Sequence, residues 1–211
     1  METINLLGST MGLGLVSGLN LYATVLTVGL GIRLGLITLN PEMSGLAVLA
    51  SPYVLIAAGV IYLIEFFADK IPYLDSVWDV VHTFIRVPAG AAVAYAATNQ
   101  LDPSVYVIAT LVGGGLALSS HGTKAALRAG ANLSPEPVSN WLLSLGEDVV
   151  AFAGVLLAVF APFVIAIVLV LFVLFFLWFF RKVVRAMRRI FAAVAAFFRG
   201  ETFKEVARKA G

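Results

Sequence analysis

The sequence predicts an all-α integral membrane protein: about six transmembrane helices in a 3+3 inverted repeat, with broken helices one and four and a C-terminal amphipathic helix. Three observations predict it. The chain is 61% hydrophobic and 12% charged, whereas a soluble domain carries roughly 25% charged residues. Its apolar residues fall into runs of about the 20 residues that a span requires, separated by short turn sequences. Two of those runs are interrupted by small polar residues. One reads Gly-Leu-Gly-Leu-Val-Ser-Gly-Leu-Asn-Leu-Tyr-Ala over residues 12–23, and the other Gly-Gly-Leu-Ala-Leu-Ser-Ser-His-Gly-Thr-Lys-Ala over residues 114–125. In lipid a helix is interrupted only where the freed backbone groups face protein or water. A matched pair of interrupted helices therefore points to a central transport site.

The first span, residues 6–37, is too long for one straight helix and rich in glycine, so it bends or breaks near Ser17–Asn20. It has no basic region before it, and reads as a span rather than a signal peptide. The second span covers residues 52–68 and the third 80–97. The fourth, 104–129, breaks near Ser119–Gly122. The fifth covers 138–158, and Pro162 turns it into the sixth, 161–180, a run without a polar residue. Asn40-Pro41-Glu42, Asn99-Gln100-Leu101-Asp102-Pro103 and Ser134-Pro135-Glu136-Pro137 are turn signals. The expected organisation is a transmembrane domain over residues 1–180, with repeats at about 4–98 and 104–180, followed by a basic cytoplasmic amphipathic tail over 181–211. Three spans per half is an odd number, so the halves have opposite orientation.

Charge is divided unevenly. Residues from Arg181 onward hold nine Lys/Arg and two Glu, while those before it hold five Lys/Arg and ten Asp/Glu. A basic tail interleaved with Phe and Ala suits an anionic membrane surface, or serves only as a stop-transfer anchor. Lys70, Arg86, Lys124, Arg128 and the tail fall on one side of a six-span layout and Arg33 on the other. That bias places both termini in the cytoplasm of a multi-pass protein of the inner (plasma) membrane.

Several ionisable residues interrupt apolar sequence. Glu65 lies in Tyr-Leu-Ile-Glu-Phe-Phe-Ala, and is either a proton-carrying carboxyl or an acid at a span end paired with Lys70. Glu147 and Asp148 lie in the fifth span and point about 100° apart, so they serve different partners. Ser119, Ser120, His121 and Lys124 form the polar cluster of the fourth span. His121 and Lys124 are three apart and share a helix face. Lys124 is placed to neutralise Glu147 or Asp148, as part of an ion site or of a structural pair. Ser17 and Asn20 mark the first break, in a stretch where Gly8, Gly12, Gly14 and Gly18 also suit close helix packing. Arg86 faces Asp69, Asp79 or an anionic group of a substrate, or snorkels to the interface.

There is no cysteine, hence no thiol chemistry. A lone His beside a pair of acids is too few for a metal site. The sequence holds no phosphate-binding loop, dinucleotide fingerprint, His-Glu-x-x-His or nucleophile elbow, so neither an enzyme nor a cofactor is expected. The expected partners are membrane lipid, a small solute or ion, and a second copy in a homo-oligomer; nothing calls for nucleic acid.

Leu-Val-Ser-Gly-Leu-Asn-Leu-Tyr-Ala-Thr and Ser-Ser-His-Gly-Thr-Lys-Ala-Ala-Leu-Arg resemble the signature stretches of an uncharacterised bacterial membrane family, domain of unknown function 4126. The likeness covers most of residues 6–159, including Glu-Phe-Phe-Ala-Asp-Lys-Ile-Pro and Pro-Glu-Pro-Val-Ser-Asn. It implies a small multi-span inner-membrane protein and no particular activity. The expected function is a small secondary transporter or channel, proton-coupled. A lipid-headgroup translocase using Arg86, Lys124 and Arg128 is the alternative, and a non-transporting scaffold the third.

Overall fold

Asn20 divides the first apolar run into α1 (Glu2–Leu19) and α2 (Leu21–Arg33). In the computed structural model, which describes residues 2–71, 73–132 and 137–198, Asn20 has extended backbone, with φ −148° and ψ 99°. Its Oδ1 accepts the Ala23 backbone N–H at 2.9 Å. In an unbroken helix that N–H would serve the Leu19 carbonyl, four residues back. The Asn side chain substitutes for the carbonyl as an N-cap. The end of α1 is thereby left with carbonyls free for other donors.

A 3-10 helix (Pro41–Ala50) follows, then α3 (Pro52–Ala68), α4 (Leu74–Thr98), α5 (Pro103–Ala131), α6 (Pro137–Phe160) and α7 (Pro162–Phe198). All regular structure among the described residues is helical. Proline opens most of these helices, at a position whose N–H has no partner inside a helix. The 3-10 helix and α3 bend by 64° at their junction. Ser51, held extended before Pro52, accounts for it, because the proline ring excludes the helical region for the preceding residue.

Among the described residues four helices are long and apolar enough to cross a membrane: α4, α5, and most of α6 and α7. The bent pair of the 3-10 helix and α3 makes a fifth if taken as one span, and α1 and α2 are shorter apolar helices. The protein is thus multi-pass. Its surface agrees: Ile56, Leu63 and Phe67 on α3, Val80 and Phe84 on α4, Ile108 and Leu111 on α5 and Leu142 and Val149 on α6 all point outward. Large apolar surface of this extent calls for lipid rather than water.

The expected break in the fourth span does not occur. Helix α5 runs unbroken from Pro103 to Ala131, through Ser119–Gly122. The reason lies in what each polar side chain binds. Asn20 Oδ1 takes a backbone N–H away from its helix. The α5 hydroxyls instead donate to carbonyls: Ser119 to Gly115 and Thr123 to Ser119, each at 2.8 Å. Such back-bonding leaves the N–H ladder whole. The basic tail continues from the last span, because α7 carries on through residues 181–198. Gly200, expected to end the first part of the tail, lies outside the described residues.

Contacts divide the chain into units of residues 1–170 and 171–211. In the first, α4 and α5 pack along their length, and α1 crosses both and meets α6. Leu13 and Val16 of α1, Val93 and Ala97 of α4 and Ala151, Val155 and Ala158 of α6 lie in its core. Glycines make the close approaches. A Cβ on Gly14 would lie 2.9 Å from the Gly113 Cα, and one on Gly114 3.2 Å from the Ala91 Cβ. Gly115 and Gly122 have nothing within 4 Å of the same position. Gly115→Ala and Gly122→Ala are therefore expected to stabilise α5 by about 0.5–1 kcal/mol each. The thermal midpoint in detergent, followed by tryptophan fluorescence, should rise; a fall would mean that the fourth span is broken there after all.

Candidate functional site

Four elements bring charge into the interior of the first unit. Helix α4 carries Asp75, Asp79, His82 and Arg86 at spacings that keep them on one face. Helix α5 offers Ser120, His121, Lys124 and Arg128 in the same way. Helix α3 adds Glu65 and, at its C-cap, Asp69, and α6 adds Ser144, Glu147 and Asp148. Arg86 and Arg128 are fully buried, and Glu65, Asp69, Asp75, Asp79, His121 and Lys124 are buried as well. Taking such ions out of water costs several kcal/mol each unless partners replace the lost hydration.

The partners begin at the broken helix. Arg86 Nη1 donates to the Gly18 and Leu19 carbonyls at 3.3 and 3.1 Å. Lys124 Nζ reaches the Leu19 carbonyl at 3.5 Å. These are the carbonyls at the α1 terminus, the negative end of the helix dipole, where cations are favoured. Arg86 is also ion-paired with Glu65 through Nη2. Lys124 Nζ lies 3.6 Å from Glu65, 3.1 Å from Asp69, 3.4 Å from Glu147 and 4.0 Å from Asp79. Arg128 forks onto Glu147 through Nε and Nη2. It also reaches Asp69 Oδ2 at 3.0 Å and Asp75 Oδ2 at 3.5 Å. Asn132 Nδ2 donates to both Asp75 oxygens, at 2.9 and 3.1 Å.

His121 is neutral in this arrangement. Its Nδ1 lies 3.1 Å from Arg86 Nη1, and a guanidinium only donates, so Nδ1 accepts. The ring proton then sits on Nε2, which is 3.0 Å from the Asp79 carbonyl and 2.8 Å from Thr83 Oγ1. His82 is held between the Trp78 carbonyl at 2.9 Å and the Tyr22 hydroxyl at 3.1 Å, with the Trp78 ring stacked on it.

The structure thus gathers Glu65, His121, Lys124, Glu147 and Arg86. Asn20 and Asp148 adjoin them, with Asn20 Nδ2 donating to Asp148 Oδ1 at 3.0 Å. Glu147 and Asp148 do serve different partners, the first two cations and the second an amide. Ser120 Oγ ties α5 to the Leu15 carbonyl of α1 at 2.7 Å. Ser17 and Ser119 bond along their own helices instead, Ser17 to the Leu13 carbonyl at 2.7 Å. Lys70 does not meet Glu65. Its ammonium lies over the Phe66 ring and donates to the Phe66 carbonyl and Ser144 Oγ, at 2.9 and 3.2 Å. Among the described residues no three His, Asp or Glu side chains are grouped to hold a metal.

A family described as Domain of unknown function (DUF4126) matches residues 7–182. The chain belongs to this family. No curated protein and no solved structure matches the chain. The matched segment contains the whole charged network, and the family's description carries no activity, so the chemistry has to be read from the network itself.

Asp75 was not singled out from the sequence; Asp69 and Asp79 were named only as partners for Arg86, and Arg128 only for the lipid-headgroup alternative. Asp75, Asp79 and Arg86 recur at helical spacing, as do Glu65 with Asp69 and Lys124 with Arg128. Such i, i+4 ladders of charge in apolar helices are the signal that would have found them.

Proposed function

We propose that this protein is a small secondary transporter or channel of the plasma membrane, moving an ion or small solute with coupled protons. One observation carries the reading. Five acids, Glu65, Asp69, Asp75, Asp79 and Glu147, are linked to three cations, Arg86, Lys124 and Arg128, in a single buried network. The excess of two negative charges cannot rest in a low-dielectric interior. Protons or a cation must offset it. A group of ions that binds such a counter-charge, set against the freed carbonyls of a broken helix, is what coupled transport needs. An ion-pair network serving only to hold a bundle would gain nothing from unbalanced charge, and apolar packing of equal volume would serve better.

In this reading α1 and α2 cross the membrane together. With the 3-10 helix and α3 as the second span, the count becomes six, in two inverted halves. The basic residues 181–189 set the orientation with both termini in the cytoplasm. Arg86, Lys124 and Arg128 weigh less, because each faces buried acids. Glu65, Glu147 and Asp148 supply negative charge to the site, Lys124 and Arg86 hold the anionic side of the network, and Asn20, Ser120 and His121 shape it. No catalysis and no cofactor enters.

A groove of about 370 Å³ supports a second reading, a lipid-headgroup translocase. Leu21, Val25, Val54, Ala58, Ile61 and Val93 line it, along with Tyr22. The Tyr22 hydroxyl bonds His82, so an acyl chain in the groove would lie close to the charged face of α4.

Proteoliposomes with an entrapped pH dye test the proposal. A panel of small cations, anions and zwitterions is offered under an imposed pH gradient. At least one should drive proton movement that empty vesicles lack, and Glu147→Gln should abolish it. Movement of a labelled phospholipid between leaflets, with no solute response, would favour the translocase. Neither response would leave the network as a structural anchor.

A further inference from the structure

We propose that Asp79 is the carboxyl of this network that binds and releases a proton. The inference deepens the transporter reading and rests on it for its role, but the protonation itself is observable without transport. Glu65 takes a guanidinium N–H from Arg86. Asp69 takes donors from Lys124 and Arg128. Asp75 takes the Asn132 amide, and Glu147 the fork of Arg128. Asp79 takes none: both of its carboxyl oxygens are buried without a hydrogen-bond partner. Its nearest cations, Arg86 Nη1 and Lys124 Nζ, stand off at 3.9 and 4.0 Å.

A buried carboxylate with no donor is the least tolerable ion in such a network, and the neutral acid loses far less by lacking one. When excess negative charge must be offset, a proton therefore goes to Asp79 before the acids that donors already hold. The surroundings agree from every side. On its own helix Asp79 faces Arg86. From α5 it faces Lys124 and His121, the latter neutral and engaged with the Asp79 backbone carbonyl, with Arg128 one ion pair further out. From α3 and its C-cap come Glu65 and Asp69, which share Lys124 with it.

The position also links the proton to the broken helix. Arg86 and Lys124 are the two cations that hold the α1 carbonyls. Ionised Asp79 draws both toward itself and away from Leu19; protonated Asp79 leaves them there. Proton binding thereby controls the end of α1.

Infrared spectra of the whole protein in lipid vesicles test the proposal. At neutral pH the wild type should show the carbonyl stretch of a protonated carboxyl, titrating away at higher pH. Growth on ¹³C-labelled aspartate should shift that band, and labelled glutamate should leave it. Asp79→Asn should remove it, whereas Asp102→Asn, at an exposed helix cap, should not. No protonated band in the wild type, a band moved by glutamate label, or one that survives Asp79→Asn would overturn the assignment. The labelling arm uses unaltered protein, so a band that moves with glutamate overturns the assignment even if Asp79→Asn fails to fold. A band assigned to Asp79 in a protein that moves no protons would leave this inference standing and remove the transporter reading.

Discussion

Arg128→Ala is expected to cost about 3–5 kcal/mol of stability, the scale seen when one partner of a buried ion pair is removed. Among the described residues, only the side chain of Arg128 touches Asp69, Asp75 and Glu147 at once. It also donates to the Asp69 backbone carbonyl at 2.8 Å, so it ties the end of α3 to α5 and α6 together. Without it three acids share Lys124 and the Asn132 amide. Arg128→Lys keeps the charge but loses the fork that meets Glu147 through two nitrogens, and should fall between the two. Thermal unfolding in detergent, followed by tryptophan fluorescence, would order the three proteins. Equal midpoints for Arg128→Ala and wild type would mean that water already screens these acids.

Gly18→Ala should be nearly as damaging although it adds one methyl group. The new Cβ would fall on Ser120 Oγ and the Ala117 carbonyl, and 2.7 Å from the Ala117 Cα. Two of these atoms are backbone, so no rotamer change relieves the clash. Helix α1 must lift from α5, stretching the bond from Ser120 to Leu15 and moving the Gly18 carbonyl from Arg86. Overpacking of this kind costs about 1–3 kcal/mol, and the loss of polar contacts puts the variant at the upper end. The same change at Gly115 should stabilise, which makes the pair a direct test of where α1 and α5 touch. A Gly18→Ala midpoint at or above that of wild type would place the contact elsewhere.

Much of the fold can be read from apolar run length and from proline and asparagine punctuation, but the fourth span shows the limit. Residues 12–23 and 114–125 look alike in composition, both small and hydroxyl-bearing. What separates them is one atom type. The Asn amide oxygen accepts a backbone N–H, whereas a Ser hydroxyl donates to a carbonyl already in the helix. Composition alone does not weigh that difference.

The site was legible where a charge interrupts an apolar run, as Glu65, Lys124 and Glu147 do. Asp75 was missed, and Asp69 and Asp79 were seen only as partners for Arg86, because all three lie beside a turn, where acids ordinarily meet water. Their burial depends on α5 and α6 closing over that turn, which no single helix reveals. Ser17 and Ser119 drew attention by contrast with their apolar neighbours, yet each satisfies its hydroxyl one turn back.

Asn20 occupies one further position of consequence. Its oxygen caps α2 while its amide nitrogen holds Asp148 of α6. The two bonds come from one rigid planar group. If α6 shifts and the bond to Asp148 survives, the first turn of α2 must swivel with it. If the bond survives only at the cap, Asp148 is left without its amide donor. Asn20 therefore acts as a linchpin: the motions of α2 and α6 are mechanically geared through a single side chain, at the point where the first span is already severed.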